Sequence, residues 1–271
     1  MNRKGCKYFS VGDVLTNNEG YSFKIKDYEN AQNVTIQWLD CGTTETCTSS
    51  NLIRGAVKYL NKPSVFDIGF IGYGRFVPGE KRLQNGQQRL DKYIHRHWRH
   101  VLERTVAGRD IKRYEDSSVV ADWYNLQNFA EWAIEQKNST KVEDNGRLYH
   151  LDKDMVCKGN RIYCPEYCVF IPNEVNCFYT KREIGNTGFP GVNYIKPTTA
   201  GAKEGYIARC SIGKEREYLG YYSTAEEAFH HYKVAKEKSA KELASRWENK
   251  IDDRVIDYLN NFKVDFEIKE T

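Results

Sequence analysis

The residues best suited to chemistry lie close together, in Tyr149-His150-Leu151-Asp152-Lys153-Asp154, followed by Gly159-Asn160-Arg161 and by Pro165-Glu166-Tyr167-Cys168-Val169-Phe170-Ile171-Pro172. Two carboxylates two residues apart, near a strand end, can share a hard divalent cation, and a nearby Asn can fix a loop. Asp152 and Asp154 are therefore the candidate ligands for Mg²⁺ or Mn²⁺, with Lys153 between them and Asn160 as the brace. Taken bare, an Asp-Lys-Asp triplet is a solvated turn, so the residues around it carry the argument. Two other clusters compete for attention. Cys157, Cys164, Cys168 and Cys177 form a thiol-rich window without a Cys-x-x-Cys knuckle, and are expected as buried reduced thiols rather than a structural Zn²⁺ site. His95, His97 and His100 fall on a helical stretch where only the last two are neighbours, and read as phosphate contacts or surface rather than a metal site.

The run Leu-Asp-Lys-Asp, Gly-Asn, Tyr-x-Pro-Glu-x-Cys, Val-Phe-Ile-Pro resembles the phage-type HNH (ββα-metal) nuclease motif, over roughly residues 63–182. In that family a strand delivers an acidic or His metal ligand and a His base, a loop Asn braces the motif, and a helix supplies a last ligand. Counting back from Asn160 and Arg161 puts Asp152 at the usual His position and Leu151 at the metal position. Shifting by one puts Asp152 at the metal and Lys153 at the base. Neither register supplies a His at the base, and Tyr167 stands at the usual final-ligand position. The resemblance implies Asp152, Lys153 and Asn160 as catalytic residues, Asp152 and Asp154 as metal ligands, and double-stranded DNA as the partner.

Nearer the C-terminus, Phe189-Pro190-Gly191-Val192-Asn193-Tyr194, Gly205-Tyr206-Ile207-Ala208-Arg209-Cys210 and Tyr218-Leu219-Gly220-Tyr221-Tyr222-Ser223-Thr224-Ala225-Glu226-Glu227-Ala228 resemble the APETALA-type DNA-binding domain. That family, also found appended to phage homing nucleases, packs a three-stranded sheet on one helix and lays the sheet in the major groove. The groove-facing places it implies are Asn193, Arg209, Ser211, Arg216 and Tyr218. Alternation supports this: Arg209 and Ser211 share one strand face, while Ala208, Cys210 and Ile212 turn toward a helix carrying Ala228, Phe229 and Tyr232.

These residues need elements to hold them. Alternation in Tyr21–Lys26 and Val34–Trp38 predicts short strands of a small barrel or curled sheet between Tyr8 and Lys62. The glycines of Ile68–Gly74 lack a following Gly-Lys-Ser or Gly-Lys-Thr, so they read as turns rather than a phosphate loop. Ile94, Trp98, Val101 and Leu102 share one face of a helix over Leu90–Leu102, and a second helix covers Leu126–Ile134 with Phe129, Ala130, Ala133 and Ile134 inward. Basic residues gather on and after the first helix: Lys92, Arg96, Arg99, Arg104, Arg109, Lys112 and Arg113, against only Glu103 and Asp110. Such density attracts phosphates, and Arg96, Arg99 and Arg104 are the candidate DNA-backbone contacts. A hairpin turn is expected at Ile212-Gly213-Lys214. Ser223-Thr224 caps a helix running to about Trp247, and Ile251 to Thr271 forms a short helix and an extended tail.

The 271 residues are enough for more than one domain, and with 40% hydrophobic and 29% charged residues the chain can pack a core. Mean hydropathy is −0.72 and no apolar run reaches a membrane span, while Met1–Cys6 lacks a signal-peptide core. Membrane insertion and secretion are excluded as default readings, and a cytoplasmic location with reduced thiols is expected. The net charge of +4 is too small to announce a nucleic-acid binder by itself; its distribution is more informative than the total, though a solvated helix face reads the same from charge alone. The resulting expectation is an α+β protein. It comprises a small N-terminal β module (1–62), where a protein partner could dock, and a central HNH-like ββα module with helices (63–182). A C-terminal three-stranded sheet packed on one helix (183–250) and a closing helix and tail (251–271) complete it. The functional expectation is a divalent-metal-dependent DNA endonuclease. The alternative is a DNA-binding regulator or inhibitor whose HNH-like scaffold no longer cuts.

Overall fold

The computed structural model describes residues 5–264 apart from 82, 84–85, 108–113, 115, 180–186, 197–203 and 213–214. The chain is α+β throughout. A two-stranded ribbon, β1 (Gly5–Cys6) with β2 (Phe9–Ser10), precedes a four-stranded antiparallel sheet in the order β3 (Val14–Thr16), β4 (Ser22–Asn30), β5 (Asn33–Trp38), β6 (Thr44–Cys47). The period-two pattern works as expected: Phe23, Ile25, Val34, Ile36 and Trp38 are fully buried, while Lys24 and Lys26 between them are exposed. The Phe23 and Trp38 rings meet edge-on at 5.1 Å. A short helix α1 (Ser49–Ile53), capped by the Thr48 side chain, was not signalled by periodicity; five residues are too few to show one.

The central part begins with β7 (Phe76–Val77), parallel to β8 (Gln88–Arg89), and α2 (Lys92–Thr105), whose N-cap is Asp91. Ile94, Trp98, Val101 and Leu102 are buried as the pattern required, and Trp98 Nε1 donates to the Trp123 carbonyl at 2.7 Å. Next come β9 (Ser118–Val119), a 3₁₀ turn at Ala121–Tyr124, and α3 (Leu126–Glu135), capped by Asn125. Phe129, Ala130 and Ala133 are buried, but Ile134 is 40% exposed, against expectation. The helix presents it beside Glu131 and Glu135 on the solvent side. The glycines at 69, 72 and 74 are more than turns. A Cβ on Gly69 would strike Leu102 and Trp98, one on Gly72 the Asn125 side chain, and one on Gly74 the Gln127 side chain. The segment threads against α2 and α3, where buried Gln127 accepts from the Phe76 N–H and donates to the Ile71 and Phe76 carbonyls.

Strand β10 (His150–Asp152), β11 (Ile162–Tyr163), β12 (Val169–Ile171) and helix α4 (Asn173–Tyr179) follow. Then β13 (Val192–Ile195), β14 (Gly205–Ile212) and β15 (Glu215–Tyr222) form an antiparallel sheet in that order, packed on α5 (Ala225–Trp247). Thr224 caps α5, accepting from Glu227 N–H at 3.2 Å. Gly213, Lys214 and the tail beyond 264 lie outside the described residues, as do Arg109, Lys112 and Arg113. The closing helix α6 (Asp253–Asn260) is present. One large core joins Trp98, Trp123, Phe129, Leu151 and Phe170 to Leu243, Ala244, Ile251, Val255 and Leu259. The first turns of α5 instead pack on the sheet, through Ala225 and Ala228 against Phe189, Val192 and Ala208. Among the described residues no helix is long and apolar enough to cross a membrane.

Candidate functional site

β10 pairs antiparallel with β12, His150 opposite Ile171, Leu151 opposite Phe170 and Asp152 opposite Val169, and α4 begins immediately after Pro172. Leu151 and the whole of β12 are buried, so the strand pair is anchored in the core and its end is held firmly. Asp152 terminates β10. Its Oδ1 accepts from the N–H groups of Asp154 at 3.0 Å and Met155 at 2.7 Å, and fully buried Met155 pins the bend. Asn160 closes the following loop: its Nδ2 donates to the Lys153 carbonyl at 2.6 Å and the Ile162 carbonyl at 2.8 Å, and its Oδ1 accepts from Ile162 N–H at 3.2 Å. From α4, the Tyr179 hydroxyl donates to the Asp154 carbonyl at 3.3 Å.

Asp152, Lys153, Asp154 and Asn160 are thus brought together. Burial, and then the nearby Asp154 charge, push the Asp152 carboxyl up to about 6 against the opposing pull of its two N–H partners. Lys153 is 7% exposed, its Nζ 3.5 Å from Asp154 Oδ2 and 5.6 Å from the centre of the Tyr163 ring. Two adjacent carboxylates, one of them disfavoured as an anion, are a donor set that a hard cation relieves. Mg²⁺ is characteristically held by one or two carboxylates with water and substrate phosphate filling the rest. The chemistry of the set therefore fits Mg²⁺ or Mn²⁺. Among the described residues no group of three or more His, Cys, Asp or Glu is placed to hold a metal ion.

His97 corrects the expectation of a surface or phosphate-contacting residue: it is 5% exposed, edge-on to Phe170 at 4.9 Å. Position 97 falls within the apolar arc of α2, one residue before Trp98 and four before Val101, so the helix turns it inward. Burial, then the neighbouring His100, Arg104 and Arg96, hold its imidazole down at about 3, and among the described residues its Nε2 has no hydrogen-bond partner. His150 is half-buried, bonded to Asn173, and also held below the usual imidazole range, chiefly by burial. Cys164 and Cys168 are buried with thiols raised chiefly by burial, Cys157 is half-buried and Cys177 exposed.

Of the basic residues of α2, Arg96 and Arg99 are exposed, with Arg99 near the Phe66 ring. Arg104 is half-buried, donating to the Tyr163 hydroxyl at 3.3 Å and lying 5.3 Å from the Tyr114 ring centre. In the C-terminal sheet Arg209 lies opposite Tyr218 and Ser211 opposite Arg216, so these four share one face. Arg209, Arg216 and Tyr218 are exposed, and Ser211 and Asn193 half-buried, while Ala208 and Cys210 turn inward. The register shifts between Ala208 and Arg209, which leaves Leu219 as the extra residue of a bulge beside Gly220. Comparison with protein-family models, curated proteins and solved structures finds no match for this chain. The functional reading therefore rests on the site itself. Sequence reasoning quoted Tyr163 within a motif without a role, and missed Tyr179; neither has a local signal, because their partners lie 59 and 25 residues away.

Proposed function

We propose that this chain is a divalent-metal-dependent DNA endonuclease of the HNH kind, acting in the cytoplasm, with the C-terminal sheet as its duplex-reading part. One observation carries the reading: an antiparallel strand pair leading straight into a helix, whose loop is tied by a single Asn and whose first strand ends on a carboxylate pair beside a buried Lys. Asp152 and Asp154 would hold Mg²⁺ or Mn²⁺, which supplies charge neutralisation at a phosphodiester. Lys153 stabilises the charge that grows on the phosphoryl oxygens. Hydrolysis adds a water oxygen to phosphorus and breaks one P–O bond to sugar; the water proton leaves to a base and the sugar oxygen gains one. Asn160 keeps the loop in shape. Arg96 and Arg99 bind backbone, while Arg209, Arg216 and Tyr218, with Asn193 and Ser211, face the groove.

The test is incubation of the purified chain with supercoiled plasmid and Mg²⁺, Mn²⁺ or chelator. Nicked or linear product that needs the metal, and disappears in Asp152→Ala with duplex binding retained, is the expected result. The two-carboxylate donor set, joined by no third metal-binding side chain among the described residues, favours a second reading: a DNA-binding regulator on the same scaffold. Duplex binding without cleavage under any of these ions would select it.

A further inference from the structure

We propose that Tyr163 is a positioning residue that sets Arg104 and Lys153 as a paired grip on one phosphodiester; this rests on the nuclease reading above. Tyr163 is 2% exposed and is fixed by β11, which pairs in parallel with β9 and accepts Val120 N–H at 3.0 Å. Its two ends serve two cations from different elements. The hydroxyl receives Arg104 Nη1 from the last turn of α2, and the ring lies beside Lys153 Nζ, which follows β10. Arg104 is half-buried; among the described residues its guanidinium donates to the Tyr163 hydroxyl and lies by the Tyr114 ring, and the neighbouring Glu103 charge favours its charged form. A guanidinium held in place by a neutral hydroxyl presents the planar fork of donors that suits a bidentate phosphate contact. Arg104 thereby separates from Arg96 and Arg99, which are exposed on the same helix. Lys153 is also committed inward, its Nζ 3.5 Å from Asp154 Oδ2. A phosphodiester is the anion that both cations and the carboxylate-bound metal would address together. The competing account is that Arg104 merely neutralises the negative end of α2.

The experiment compares Tyr163→Phe, Arg104→Ala, the double variant and Arg99→Ala in metal-dependent plasmid nicking, with melting temperature measured alongside. Tyr163→Phe keeps the ring and removes one hydrogen bond, so kcat should fall about tenfold with little change in melting. Arg104→Ala should lose roughly a hundredfold in kcat, partly restored by added guanidinium ion. The double variant should be no worse than Arg104→Ala, because Tyr163 acts through Arg104. Arg99→Ala should raise KM instead and gain nothing from guanidinium. Wild-type kcat in Tyr163→Phe, or a melting loss in Arg104→Ala with unchanged kcat and no rescue, overturns the proposal. If the wild type fails to nick under every ion, the nuclease reading falls separately. The grip is then read from binding of a short duplex in chelator: weakened, non-additive binding in the two single variants and their double supports it, and wild-type affinity overturns it.

Discussion

Asn160 makes three hydrogen bonds with one amide, spanning Lys153 to Ile162, and no smaller side chain can do this. Asn160→Ala should cost about 2 kcal/mol of stability and release the loop, measurable by thermal melting and by hydrogen exchange at Met155. His97 makes a different residue-scale prediction. Its imidazole titrates near 6.5 when unfolded but is held down at about 3 when folded, so the unfolded chain binds the proton first. Stability is therefore fully present above pH 6.5 and is lost progressively as pH falls toward 3. Between pH 7.5 and 5.0 the loss attributable to His97 is about 2 kcal/mol. Denaturant melts of wild type and His97→Leu at both pH values check this: the variant should lose the smaller amount on acidification. His95, His100 and His150 are also lowered by burial and keep some slope in the variant. At this scale, legibility follows distance along the chain. Asp152, Asp154 and Asn160 could be found because a turn motif is local. Tyr163 with Arg104, and His97 with Phe170, could not, because no periodicity encodes a contact between separate elements.

Among the elements, the strands and the long helices were readable, because period two in β4 and β5 and the apolar arc of α2 are set by burial of one face. The glycine-rich run was not. As sequence it is a set of turns; in the fold it is a close approach, visible only once α2 and α3 lie beside it. Gly72 and Gly79 separate the two meanings, since both have φ near +75°, at +72° and +75°. A Cβ at Gly79 meets open space, whereas at Gly72 it meets the Asn125 side chain that caps α3. Gly79→Ala should cost about 1 kcal/mol from backbone strain alone. Gly72→Ala should cost about 3 kcal/mol, because it adds overpacking and disturbs the cap. Equal melting temperatures for the two variants would show that the Gly72 contact carries no weight.

For the molecule as a whole, the decisive element is α5, which belongs to two cores. Its start covers the C-terminal sheet, and its end, with α6, completes the central one through Leu243, Ala244, Ile251, Val255 and Leu259. Side chains reinforce the join: Arg246 and Trp247 Nε1 bond to Glu174, and Arg254 Nη1 donates to the Glu166 carbonyl at 2.6 Å. A chain ended after residue 182 should therefore fail to fold, giving no cooperative melt and rapid proteolysis. A cooperative melt near that of the full chain would refute the shared core. Reading the sequence as consecutive segments could not foresee this, because α5 is one uninterrupted helix whose partners change halfway along.

That same helix is also a ruler. Its 23 residues, at about 1.5 Å each, span roughly the length of one duplex turn. A sheet seated in a groove at one end and a phosphodiester site built into the other core would then be held at constant phase around the DNA. On the nuclease reading, the distance from the sequence read to the bond cut would become a property of a rigid rod, indifferent to the bases between. Product ends mapped at nucleotide resolution should then fall at one sharp offset from the recognised sequence, and changing the intervening bases should leave that offset unmoved.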